Sequence, residues 1–108
     1  MKRKSPLAAL SLAAIAVTSS ALADVPPGRQ AEIIYLLKHD CGSCHGMRLE
    51  GGLGPALVAG RFVEWDTDQL ALTILYGRPG TPMPPWRPFL SDSEARWLAA
   101  QLKGGIRP

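Results

Sequence analysis

The two cysteines of this chain stand three positions apart and are followed at once by a histidine, in Cys41-Gly42-Ser43-Cys44-His45. On a helix, thiols at that spacing lie about one turn apart. Each can add to one vinyl group of the same porphyrin while the adjoining imidazole reaches the metal, so C-x-x-C-H is the attachment pattern of c-type haem. Three plainer chemistries use the same residues: a structural disulfide, half of a zinc site, or a redox dithiol. A zinc site lacks partners, because His39 and His45 are the only histidines and there is no third cysteine. A thiol-disulfide oxidoreductase working through Cys41 and Cys44 is the stronger rival. Such enzymes place the motif at a helix start after a strand, whereas here it ends a helical pattern.

One covalently bound haem c with His45 on its iron leaves a second axial position, for which Met47, Met83 and His39 are the candidates. Met47 is two residues from His45 and cannot pass around the ring to its far face, and His39 belongs to the helix that presents the cysteines. Met83 sits in Gly80-Thr81-Pro82-Met83-Pro84-Pro85-Trp86, where prolines fix the backbone torsions. A lone methionine is more often adaptable core filler. Placed between prolines on a loop that must cross a haem, Met83 is the expected ligand. A thioether favours Fe(II), raises the reduction potential and closes the coordination sphere, which suits electron transfer and not substrate chemistry. The expected metal ligands are therefore His45 and Met83. The enzyme alternative, a peroxidase or gas-binding haem with an open distal site, has no spare distal histidine.

Three helices and two long loops must position these groups. The stripe Ala31, Ile33, Ile34, Leu37, Cys41 predicts a helix over 29–40, introduced by Pro26-Pro27 and running into the cysteines. The stretch Gly46 to Gly60 contains Gly51-Gly52-Leu53-Gly54-Pro55 and reads as a loop that wraps something. A second helix starts near Asp66, with Gln69 three residues on, turns Leu70, Ile74 and Leu75 inward, and stops at Gly77. After the proline loop of 78–88, a third helix opens on the capping box Ser91/Glu94 with a Leu90/Ala95 staple, carries Leu98 and Leu102, and ends at Gly104. Nothing alternates in polarity as a strand would. Trp65 and Trp97 read as core. Arg48, Arg61, Arg87 and Trp86 are candidate donors to haem carboxylates, and Met47, Leu49, Leu53, Pro84 and Pro85 are candidates for an apolar rim at the haem edge.

Length and charge bound the rest. The chain has 108 residues with 12 basic and 9 acidic side chains, a formal +3. That is one small domain, too short for a Rossmann enzyme or a barrel. The basic excess would suggest nucleic acid were it not for its position. Lys2, Arg3 and Lys4 open an apolar stretch from Leu7 to Val17 that ends in Ala21-Leu22-Ala23, the pattern of a cleaved secretory signal peptide over 1–23. The stretch falls short of the roughly 20 residues that span a bilayer. The working domain is then 24–108 with balanced side-chain charge, exported from the cytoplasm. No nucleic-acid partner and no stable membrane anchor are expected of it, and a monomer is.

The helix leading into Cys41-Gly-Ser-Cys44-His45-Gly46, then Gly54-Pro55-Ala56-Leu57, then Met83-Pro84 before a final helix, resembles the small class I c-type cytochromes over most of residues 24–108. More narrowly, Asp40 to Gly46, Gly51 to Pro55 and Gly80 to Trp86 are similar to the periplasmic NirC-type cytochromes of denitrifying bacteria. The resemblance implies an all-α fold of three main helices and long loops around one covalent haem. It further implies that the Pro55 carbonyl accepts the proton of the outer imidazole nitrogen of His45. The first and last helices are implied to cross, bringing Ile33 and Leu37 towards Trp97 and Leu98, although the glycine usual at that crossing is absent. The implied role is a one-electron carrier, not an enzyme, that exchanges electrons with periplasmic redox proteins. Its implied partner is the dissimilatory nitrite reductase with c-type and d-type haem, either in catalysis or in maturation of the d-type haem. A haem subunit of another periplasmic dehydrogenase is the alternative.

Overall fold

The computed structural model describes residues 2–15 and 25–108. The Ala21-Leu22-Ala23 pattern lies outside these residues. Leu7, Leu10, Leu12 and Ile15 are exposed and belong to no regular element. No helix among the described residues is long and apolar enough to cross a membrane.

The first helical run begins at Pro27, two residues earlier than the apolar stripe suggests, because proline suits a first turn where no N–H partner is needed. It comprises α1 (Pro27–Leu36), a π turn (Leu37–Cys41) and α2 (Gly42–His45). The π turn was not expected. There the N–H of Gly42 reaches back five residues to the carbonyl of Leu37, which widens the helix at the first cysteine. The buried stripe is narrower than the periodicity implies: Ile33 and Leu37 are buried, whereas Ala31 is exposed.

The glycine-rich loop folds back onto the end of that run. A helix leaves its last carbonyls without partners. Here the N–H of Gly54 donates to the carbonyl of Cys44 and that of Gly51 to the carbonyl of His45, each at 2.8 Å. Leu49 closes a turn onto Gly46 at a positive φ of 60° and is 1 % exposed. Its place is therefore in the core and not on the rim expected for it, because the reversal at this turn carries its side chain inward. A short 3₁₀ helix (Ala59–Phe62), also unexpected, buries Phe62.

Helix α3 (Thr67–Tyr76) is capped by Asp66, whose Oδ1 accepts the Gln69 N–H at 2.6 Å, and it buries Leu70, Ala71, Ile74 and Leu75. Helix α4 (Asp92–Lys103) has the full reciprocal Ser91/Glu94 capping box and buries Ala95, Leu98, Ala99 and Leu102. It packs chiefly on α3. Arg29 of α1 pairs with Glu94 and donates to the Phe89 carbonyl at 2.7 Å, which clips the first helix to the start of the last. Ile33, Leu37 and Leu98 lie in one core cluster, with Trp97 half-buried against it. The described residues contain no strand.

Candidate cofactor site

A cavity of about 450 Å³ lies between these elements, within the range of roughly 300–1,000 Å³ typical of pockets for small molecules and cofactors. Cys41, Cys44 and His45 enter it from the first helical run, Met83 from the proline loop, and the apolar side chains of Leu37, Leu57, Phe62, Leu70, Ile74, Leu98 and Leu102 wall it. The four candidate site residues, which span 43 positions of sequence, thus share one chamber. His39 does not: it is exposed and its ring stacks at 4.2 Å on Tyr35. Met47 is half exposed and also lies off the cavity.

The imidazole of His45 is held in one tautomer. Its Nδ1 lies 2.7 Å from the carbonyl oxygen of Pro55. A carbonyl can only accept, so Nδ1 carries a proton, and in the neutral ring Nε2 is then the nitrogen with the lone pair, the one a metal ligand uses. Gly54 makes this contact possible. A Cβ at that position would stand 2.7 Å from Cε1 and 2.8 Å from Nδ1 of the ring, so any larger residue would push the imidazole off Pro55.

Met83 is fixed from three sides. Its carbonyl accepts the Arg78 N–H at 3.2 Å and its own N–H donates to Thr81 Oγ1 at 3.3 Å. Downstream, the N–H groups of Trp86 and Arg87 donate to the carbonyls of Ile74 and Leu75 at 3.1 Å, which ties the loop to the end of α3. Gly77, at φ +68°, lets the loop lie directly on the helix end.

Cys41 and Cys44 are not joined to each other by a disulfide. Burial, and secondarily the charge of Asp40, push the Cys41 thiol up to about 11. A redox dithiol depends on a thiolate with a depressed pKa, and Cys41 has the opposite environment. Among the described residues no group of three or more His, Cys, Asp or Glu side chains is placed to hold a metal ion. The apolar walls, the two thiols, one imidazole with a free Nε2 and one thioether fit a haem joined through thioether bonds.

Of the other candidates, Arg61 and Trp86 line the cavity, and so do Leu53, which is 95 % exposed, and Pro84. Pro85 does not. Arg87 is occupied elsewhere, donating to Tyr76 Oη at 2.8 Å and Asp92 at 3.0 Å. Arg48 borders a separate cavity of about 230 Å³ with Leu49 and Arg107. Trp65 lines the main cavity instead of serving only as core, because Phe62, at 6.2 Å in edge contact, takes the buried position beside it. The sequence reading missed Arg78, although its place in the loop that carries Met83 was the available signal.

Residues 28–102 match the family model described as cytochrome c oxidase, cbb3-type, subunit III. The chain is 51 % identical over 90 residues to cytochrome c55X of Pseudomonas aeruginosa, covering 81 % of this chain and 76 % of that protein. Among solved structures it is similar to a c-type cytochrome NirC, with a TM-score of 0.74 and 49 % identity over 78 % of this chain and all of the other. A segment of the dihydro-haem d1 dehydrogenase NirN is also similar, with a TM-score of 0.61 and 33 % identity over 68 % of this chain but 16 % of that one.

Proposed function

Because the chain belongs to the c-type cytochromes, and among them to the NirC or cytochrome c55X group, we propose that it is a periplasmic electron carrier with one covalent haem c. The observation that carries this reading is the single apolar cavity in which Cys41, Cys44, His45 and Met83 meet. Cys41 and Cys44 anchor the porphyrin through thioether bonds, His45 Nε2 and Met83 Sδ hold the iron, and the Pro55 carbonyl keeps the imidazole oriented. When bound, the haem supplies a one-electron Fe(III)/Fe(II) couple. The apolar walls exclude water from it, which favours the less charged reduced state. Leu53 and the exposed Pro82 and Pro84 border the cavity and give partners an apolar contact at its edge. Residues 1–23 are removed on export, leaving 24–108 as the working protein.

The family's nitrite reductase is the proposed acceptor. The similarity to part of a dihydro-haem d1 dehydrogenase favours a second reading, in which the electrons serve maturation of the d-type haem. Expression with a c-type maturation system tests the cofactor: the haem must stay with the polypeptide in acid acetone, and free extraction refutes the attachment. Met83→Leu should abolish the methionine-to-iron charge-transfer band of the ferric protein and lower its midpoint potential. A wild-type band in that variant removes Met83 from the iron. Rapid mixing of the reduced protein with nitrite reductase, and of the oxidised protein with the dehydrogenase and its substrate, separates the two partner roles.

A further inference from the structure

The separate cavity of about 230 Å³ shares one wall with the cofactor chamber, because Leu57 lines both. It forms where the segment after α4 meets the loop after His45. Val58 and Ile106 extend its apolar wall, and Arg48 and Arg107 are its only charged lining residues. The volume is below the roughly 300 Å³ at which pockets for cofactors begin. It still offers room for about seven waters at about 30 Å³ each. Among the described residues Arg48 has no carboxylate partner. Arg107 donates to Glu50 at 3.2 Å in a pair whose side chains are 69 % and 60 % exposed, so water weakens that contact. Glu50 itself does not line the cavity.

Two cations that border one cavity with no acid in its wall repel each other, and a bound anion relieves the repulsion. A guanidinium carries five N–H donors, so the single contact to Glu50 leaves most of those on Arg107 unused. Its paired N–H groups match two oxygens of one ligand, which favours an oxyanion over a halide. We infer that this cavity binds one small oxyanion between Arg48 and Arg107, in competition with Glu50. The consequence for electron transfer rests on the haem reading. The anion faces the cofactor chamber across Leu57, two residues from Pro55, whose carbonyl holds His45. Its charge favours Fe(III), the state with one more positive charge, and by reciprocity Fe(III) tightens its binding.

The test titrates the holoprotein with inorganic phosphate by isothermal calorimetry, at an ionic strength held constant with chloride so that screening does not vary. One phosphate per chain should bind saturably. Arg48→Leu and Arg107→Leu should each weaken it at least about tenfold, since each removes charge-assisted hydrogen bonds. Glu50→Gln should tighten it, a gain that a damaged fold does not produce. Arg96→Leu, at an arginine that lines neither cavity, should change nothing. Absence of saturable binding, binding indifferent to Arg48 and Arg107, or a Glu50→Gln variant no tighter than the parent overturns the site. Saturating phosphate should also raise the Fe(III)/Fe(II) ratio at a fixed potential in the parent and not in Arg48→Leu. An unchanged ratio with phosphate bound overturns the effect across Leu57. Release of the haem into acid acetone refutes the covalent haem reading, whereas the calorimetric titration judges the anion site on its own.

Discussion

Replacing Gly77 by alanine should detach the proline loop from the end of α3 and take Met83 with it. A Cβ at this position would meet the carbonyl oxygen of Met83 at 2.6 Å, the carbonyl carbon of Pro84 at 2.7 Å and the nitrogen of Pro85 at 2.8 Å. All three are backbone atoms and no rotamer relieves them. Ordinary contact begins at 3.4 Å, so the loop must retreat by about 0.8 Å, enough to stretch the 3.2 Å bond from the Arg78 N–H to the Met83 carbonyl past a useful length. Losing that bond costs about 0.5–1.5 kcal/mol. The backbone, at φ +68° and ψ −167°, lies in a region confined essentially to glycine and adds about 1–3 kcal/mol for any residue with a Cβ. Gly80 separates the two contributions. It has φ +78° but nothing within 4 Å of its would-be Cβ, so Gly80→Ala carries the backbone strain alone. Alanine also stiffens the unfolded chain, equally in both variants, and that contribution cancels in the comparison. Guanidinium unfolding of the holoproteins should place Gly77→Ala below Gly80→Ala by about 1 kcal/mol. The ferric spectrum should lose the methionine-to-iron band only in Gly77→Ala. Equal stabilities with the band intact in both would refute the argument that this contact positions Met83.

Two further outcomes follow from the same geometry. Gly54→Ala should drive the His45 ring from its 2.7 Å contact with Pro55, lowering the yield of holoprotein and broadening the ferric spectrum, while Gly60→Ala, with nothing within 4 Å, should change neither. Arg29 holds the Glu94 carboxyl below its ordinary value of 4.5, so the pair stabilises the fold above that pH and its contribution is lost as pH falls through the depressed folded value. Glu94→Gln keeps an acceptor for the capping box and should flatten this acid limb in melting temperature measured from pH 6 down to pH 3. An unchanged pH profile would show that the pair contributes nothing.

The local sequence specified a good part of this protein. The spacing of Cys41, Cys44 and His45 puts them on one helical run, because one turn separates the two thiols. The Ser91/Glu94 box, the Asp66 cap and the terminators Gly77 and Gly104 mark helix ends through contacts a few residues long, and they stand where that logic puts them. Met83 could be singled out because prolines stiffen its surroundings. Tertiary structure decided what depends on the approach of distant segments. The π turn shifts the helix by one backbone hydrogen bond, which residue periodicity does not register. Leu49 went to the core and Trp65 to the cavity wall because a turn at Leu49 and the neighbouring Phe62 settled which side chain faces inward. In sequence Gly54 reads as a loop glycine and Gly77 as a helix terminator, and only the folded chain shows that one also leaves room for an imidazole and the other for a loop.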